Sequence, residues 1–142
     1  MTEPAFDVDG FLARPLTARL TTNGPTVRPV WYQWEDGAFW MFTGPWAKWL
    51  TRVRTEPSIA LIVDTCDLET GEILQVIAHG QAEISDWDVA RCHRMLARYL
   101  GDDETSWPED YRAYLSEPPM EGLTWVRLPP EKLISNDFSF QR

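Results

Sequence analysis

Apolar and polar residues alternate with a period of two along most of this chain, in short stretches divided by turn residues. Leu16–Thr22 and Thr26–Trp34 flank Asn23-Gly24, a pair that tolerates the positive φ angles of a tight turn, so the pattern predicts a hairpin. Glu35-Asp36-Gly37 marks the next reversal, and Ala38–Thr43 reads as a third strand antiparallel to the second. Ser58–Asp64 follows with Ile59, Leu61 and Val63 inward, then a polar loop from Asp67 to Glu72. The clearest alternation comes next. Leu74, Val76, Ala78, Gly80, Ala82 and Ile84 share one face, and Gln75, Ile77, His79, Gln81 and Glu83 the other. Thr124–Leu128 is the last predicted strand, followed by Pro129-Pro130 and a tail.

Helical periodicity interrupts this pattern in few places. Phe6–Ala13 predicts a short helix. Gly44-Pro45 opens a second, to about Arg54, with the proline in the first turn and Pro57 as the stop. Ser85 to Asp88 fits a capping box for a third, in which Val89, Cys92, Leu96 and Tyr99 recur at helical spacing until Gly101. Residues 101–121 hold seven acids, one arginine and three prolines, and are expected to be exposed with at most one set of helical turns. Six strands with peripheral helices make the fold mainly β, an antiparallel six-stranded barrel in a single domain over residues 1–142. Alternating strand–helix units and Gly-rich phosphate loops are absent, which removes the doubly wound nucleotide-binding folds.

The second and third strands are apolar on both faces: Val30 and Tyr32 oppose Trp31, and Phe39 and Met41 oppose Trp40 and Phe42. Both faces must be covered, one by the barrel interior and the other by a partner. Eight of the 18 aromatic residues fall between 31 and 49. The net charge of −9 disfavours nucleic acid and anionic membrane surfaces, and no apolar run spans a bilayer. An acidic N-terminus without a signal pattern leads us to expect a cytoplasmic protein. Cys66 and Cys92 suggest neither a disulfide framework nor a zinc site, only reduced thiols.

The charge is unevenly spread. Residues 1–54 carry six basic and five acidic side chains, residues 55–142 seven and 17. Between Gly37 and Thr55 there is no acid, yet Lys48, Arg52 and Arg54 lie there. A strand ending at Thr43, a helix start at Pro45 and Lys48 one turn in can bring helix N–H groups, a hydroxyl and an ammonium to one anion, with Arg28 on a neighbouring strand as a second cation. Such a corner suits a terminal phosphate, and the nearby aromatics suit a planar ring.

These residues resemble the flavin-binding split barrels related to pyridoxamine 5′-phosphate oxidase, including their deazaflavin-using relatives. The likeness lies in Phe11-Leu12, in Arg28 to Gln33 (RPVWYQ), in Gly37 to Thr43 (GAFWMFT), in Lys48 to Pro57, in Gln75 to Glu83 (QVIAHGQAE), and in Val126 to Leu128 with Asp137-Phe138. The resemblance implies a split barrel and an oxidoreductase that transfers hydride with FMN or coenzyme F420, on a small apolar or conjugated substrate. It implies Arg28 and Lys48 as phosphate partners with Arg52 sharing the load, Thr43 as hydroxyl donor, Val30, Trp31 and Tyr32 along the ring, Trp49 beside Lys48, and Gln75 at the ring's polar edge. It also implies a homodimer with the cofactor in the groove between subunits. The sequence departs from the family where Trp49 replaces a second basic residue, Ala47 a common Ser, and Asn136 a frequent Trp. Tyr32, His79 and Tyr99 are possible proton donors, and none is assigned a catalytic role. The alternative is a non-catalytic protein that stores a flavin or haem, the latter requiring His79 or His93 as axial ligand.

Overall fold

Period-two segments of this kind bury at least one face, and here, among the described residues, they fold as nine strands in two antiparallel sheets that do not close into a barrel. The computed structural model describes residues 3–142. The five-stranded sheet has the order β2 (Thr26–Val30), β1 (Ala18–Thr22), β5 (Ser58–Asp67), β6 (Glu72–Gln81) and β9 (Lys132–Asp137). The four-stranded sheet has the order β3 (Gln33–Glu35), β4 (Ala38–Thr43), β8 (Thr124–Leu128) and β7 (Glu83–Ser85). Four α-helices accompany them: α1 (Val8–Leu12), α2 (Lys48–Thr55), α3 (Val89–Leu100) and α4 (Glu109–Arg112). No described helix is long and apolar enough to cross a membrane.

The expected six strands become nine for local reasons. The strand expected over Thr26–Trp34 breaks at Trp31-Tyr32, where the chain leaves one sheet for the other. Tyr32 is fully buried, its N–H donates to Tyr99 Oη at 3.1 Å, and its carbonyl accepts from Arg98 Nη2 at 2.6 Å, so α3 replaces a neighbouring strand. The strand expected to run on to Ile84 breaks at Ala82, whose N–H makes a last bond in the β5–β6 register, to the Pro57 carbonyl at 2.8 Å, before the chain passes to the other sheet. Ile84, assigned inward, does stand opposite fully buried Val126, yet it is exposed, because β7 is the edge strand of the smaller sheet. The expected tail holds β9, paired with β6 from Leu74↔Asp137 to His79↔Lys132.

Helix starts also shift. Gly44–Trp46 forms a turn, with Ala47 N–H on the Gly44 carbonyl, and α2 begins only at Lys48. Asp88, rather than Ser85, caps α3 by accepting the Arg91 N–H at 3.2 Å. Gly101, at φ 97°, ends that helix as expected. Residues 101–121 contain three short helical pieces and are not wholly exposed, since Trp107 is buried and donates its Nε1–H to the Gly101 carbonyl at 2.8 Å.

Two cores result. Leu20, Leu61, Val63, Val76 and Ala78 of the larger sheet meet Phe39, Met41, Val126 and Leu128 of the smaller, with Phe11 and Leu12 of α1 and Leu50 and Val53 of α2 closing the ends. On the far face of the smaller sheet, Trp40 and Trp125 pack against Cys92, Met95 and Leu96 of α3 and against Trp107. The second apolar face of β4 is therefore covered by the same chain, which removes the sequence argument for a partner there. Arg91 lies over the Trp40 ring, 3.5 Å from its centroid, and with Arg94 holds Glu35. The helices direct all their buried residues into these cores. The outer face of the larger sheet keeps a half-buried cross-strand row, Ile62, Ile77 and Ile134.

Two measurements check this packing. Burial pulls the Glu35 carboxyl upward, but hydrogen bonds from Arg94, Arg91 and Gln33 outweigh it and hold the group below its ordinary value of 4.5. The stability it contributes is present above the unfolded-state value and disappears as the pH falls through the lower folded-state value. Glu35→Gln should therefore cost about 1–3 kcal/mol in urea unfolding at pH 7, with the gap to the parent closing below about pH 4. Cys66 is exposed, whereas burial pushes the Cys92 thiol up to about 12. A disulfide-exchange reagent should titrate one thiol in the native protein and two in denaturant.

Candidate functional site

The β1–β2 hairpin puts Arg28 on the inward face of the larger sheet, opposite Leu20. Its Nη1 donates to the Leu20 carbonyl at 3.2 Å and to Thr22 Oγ1 at 3.0 Å, and its Nη2 to Thr26 Oγ1 at 2.7 Å. All three acceptors are neutral, so the guanidinium is oriented without being neutralised. Arg52 reaches the same hairpin from α2, donating to the Asn23 carbonyl at 3.1 Å. Gly24, at φ 141°, makes room for it, since a Cβ there would stand 2.8 Å from Arg52 Nη1. Burial, and then the charge of Arg52, lower the pKa of Arg28.

Lys48 opens α2 four residues before Arg52, a spacing that puts both on one helix face. It is exposed, and Ala47 provides no side-chain cap for the free N–H groups beside it. Among the described residues no carboxylate pairs with Arg28, Lys48, Arg52 or Arg54, whereas Arg14, Arg19, Arg91, Arg94 and Arg127 each have at least one. The structure thus contains a cationic corner at the β1–β2 turn and α2. Thr43 lies buried at the end of β4, opposite Thr124. Trp49 packs against the first core, while Trp46 is 58% exposed, its ring over Gly44 and 6.4 Å from that of Tyr114.

The remaining expected site residues are not gathered at this corner. Val30 is half-buried at the end of β2. Trp31 is stacked between Tyr99, at 4.2 Å, and Tyr111, at 5.3 Å, so both faces of its indole are taken. Tyr32 is buried with both backbone groups bonded to α3, and burial raises its hydroxyl pKa far above the ordinary value. The side chains of Trp31 and Tyr32 are thus engaged within the chain, the first by stacking and the second by burial. Gln75 alternates with fully buried Val76 and lies on the outer face of the larger sheet, beside Asn136, whose Nδ2 donates to it at 3.4 Å. Arg28 is on the inner face of that sheet, so one chain does not bring the two together. His79 is exposed on the outer face, and His93 pairs with Glu104 at 2.5 Å.

Sequence reasoning missed the hydroxyls of Thr22 and Thr26, although Thr26 stands two residues from Arg28 and Thr22 pairs with Thr26 across the hairpin, which puts all three on one face. It also missed Arg98, which binds Gln33 Oε1, the Tyr32 carbonyl and Tyr99 Oη from α3. No local motif announces a contact across 66 residues.

Residues 7–135 match the family model of pyridoxamine 5′-phosphate oxidase. No curated protein sequence gives a significant match. Among solved structures, a conserved hypothetical protein from Mycobacterium tuberculosis superposes with a TM-score of 0.70 at 19% identity, over 96% of this chain and 88% of that one. An FAD-binding protein from Mesorhizobium loti gives 0.66 at 18%, covering 98% of each chain. An F420 reductase gives 0.64 at 17%, over 93% of this chain and 98% of that one. At these identities the likeness is one of fold.

Carboxylate-free arginines on neutral acceptors should bind a small anion. Inorganic phosphate at millimolar concentration should raise the thermal midpoint by mass action, and the double variant Arg28→Ala, Arg52→Ala should lose that rise, as read by calorimetry.

Proposed function

The chain belongs to the pyridoxamine 5′-phosphate oxidase family, and from that premise we propose that it is a flavin- or deazaflavin-dependent oxidoreductase acting on a small apolar or conjugated substrate. The observation that carries the reading is the cationic corner, where Arg28 is aimed by Thr22 and Thr26, Arg52 stands over the same turn, and no acid opposes them. These residues fit a phosphate-bearing cofactor. Arg28 and Arg52 would hold the phosphate, Lys48 and the uncapped start of α2 would add charge and N–H donors, and Thr43 would close the strand that leads to them. When bound, the cofactor supplies hydride chemistry, and the protein positions the reactants and excludes water. FMN and coenzyme F420 both present such a phosphate, and the family membership supports either.

With Trp31 and Tyr32 occupied inside the chain, ring contact from this segment falls to Val30. Gln75 and Asn136 share the outer face with the row of Ile62, Ile77 and Ile134. We propose that this face meets a second copy, so that the partner's Gln75 completes the ring end of the site. Apolar residues in the middle of a face with polar groups at its margin are what a homodimer contact uses.

Titration of the purified protein with FMN, FAD and F420, followed by visible absorption and thermal midpoint, tests the proposal. One of these cofactors should bind with a shift in midpoint, and Arg28→Ala should weaken it about 10- to 100-fold, the equivalent of one charge-assisted hydrogen-bond set. Ile77→Asp should turn a dimer into a monomer in size-exclusion chromatography and weaken the cofactor as well. Absence of any midpoint shift with all three cofactors rules the reading out.

A further inference from the structure

Away from the cationic corner, the two sheets part and leave a cavity of about 580 Å³ between β9 and β3. Its walls include Val8, Trp34 and Leu133, and its rim carries Lys132 and Glu131. None of Arg28, Thr43, Lys48 or Arg52 lines it. Leu133 shows that the opening belongs to the fold. It lies opposite fully buried Ala78, on the inward face of the larger sheet, yet it is 37% exposed. An apolar side chain turned inward meets solvent there because the smaller sheet ends at β3 without covering β9.

The walls are held in place. Trp34 donates its Nε1–H to Asp9 Oδ1 at 2.8 Å and rests on Phe39 at 4.7 Å between centroids, which fixes its indole at the cavity. Ser135 Oγ accepts the Ala5 N–H at 2.8 Å, tying the segment that precedes α1 to β9. Gly37, at φ 68°, also lines the cavity, and no atom lies within 4 Å of where a Cβ there would stand. The volume falls in the range of small-molecule sites, about 300–1,000 Å³. A fixed indole and aliphatic walls favour a flat apolar guest. Glu3 and Glu131 outnumber Lys132 at the rim, and the chain carries −9 overall, which disfavours an anion.

We propose that this seam cavity is a second ligand site, separate from the phosphate corner, that takes an uncharged aromatic molecule of two or three rings. The probe is N-phenyl-1-naphthylamine, an uncharged fluorophore that brightens in apolar surroundings. Titration should saturate at one probe per chain. Leu133→Trp and Val8→Trp fill the cavity from opposite walls, and each should weaken the probe at least tenfold while keeping the unfolding midpoint. If one of them fails to fold, the other decides. Arg28→Ala and Lys48→Ala should bind it like the parent, and excess FMN should not displace it, so this result stands or falls apart from the cofactor reading. Binding that does not saturate, undiminished binding by a folded cavity-filling variant, or displacement by FMN overturns the proposal.

Discussion

A backbone that crosses between sheets inside a protein must satisfy its N–H and C=O groups without a neighbouring strand. Tyr32 stands at such a crossing, and its two polar groups are taken by Tyr99 and Arg98 of a helix that lies nearly 70 residues further along the chain. Much else depends on that arrangement. It allows β2 and β3 to belong to different sheets and stacks Trp31 between Tyr99 and Tyr111. It also anchors α3 over the aromatic face of β4, where Arg91 and Arg94 clasp Glu35. The second core therefore exists because the crossing needed partners, and the aromatic density around residues 31 to 42 is mostly absorbed by it.

Charge is divided on the same plan. Five arginines elsewhere in the molecule are matched with carboxylates, as in Arg14 with Glu72 and Arg127 with Glu83. The hairpin turn and α2 hold their cations with hydroxyls and carbonyls alone. Neutral acceptors fix direction without cancelling charge, and the mutual repulsion of Arg28 and Arg52 is tolerated rather than relieved. A protein that is acidic overall keeps one positive place by excluding acids from a continuous stretch of sequence, here residues 37–55.

This explains which parts were legible in advance. Strand periodicity located β1, β4, β5 and β8, because each buries one face against the shared core. The acid-free stretch located the cationic corner, because it is a property of composition. The breaks at Tyr32 and Ala82 were invisible, since each is decided by a distant partner and the alternation of apolar residues runs straight through it. β9 escaped because its residues, Lys132 to Asp137, carry few apolar side chains and follow two prolines. Gln75 was placed on the correct face of its strand, opposite to the inward residues. That this face is also opposite to Arg28 follows only from the register of β1, β5 and β6.

The turn that brings the arginines together is Asn23-Gly24, with the Asn23 carbonyl bound to Arg52 and the glycine leaving space for it. Asparagine before glycine is the pair in which the following backbone nitrogen most easily attacks the side-chain amide carbon and expels ammonia, because no side chain shields that nitrogen; water then opens the ring to aspartate or its isomer. Ageing of this one residue would install a carboxylate at the turn whose carbonyl holds Arg52, in a corner where no acid now pairs with the arginines. The corner would slowly lose part of its positive charge, and the glycine that lets Arg52 approach is also the one that leaves the asparagine open to this ageing.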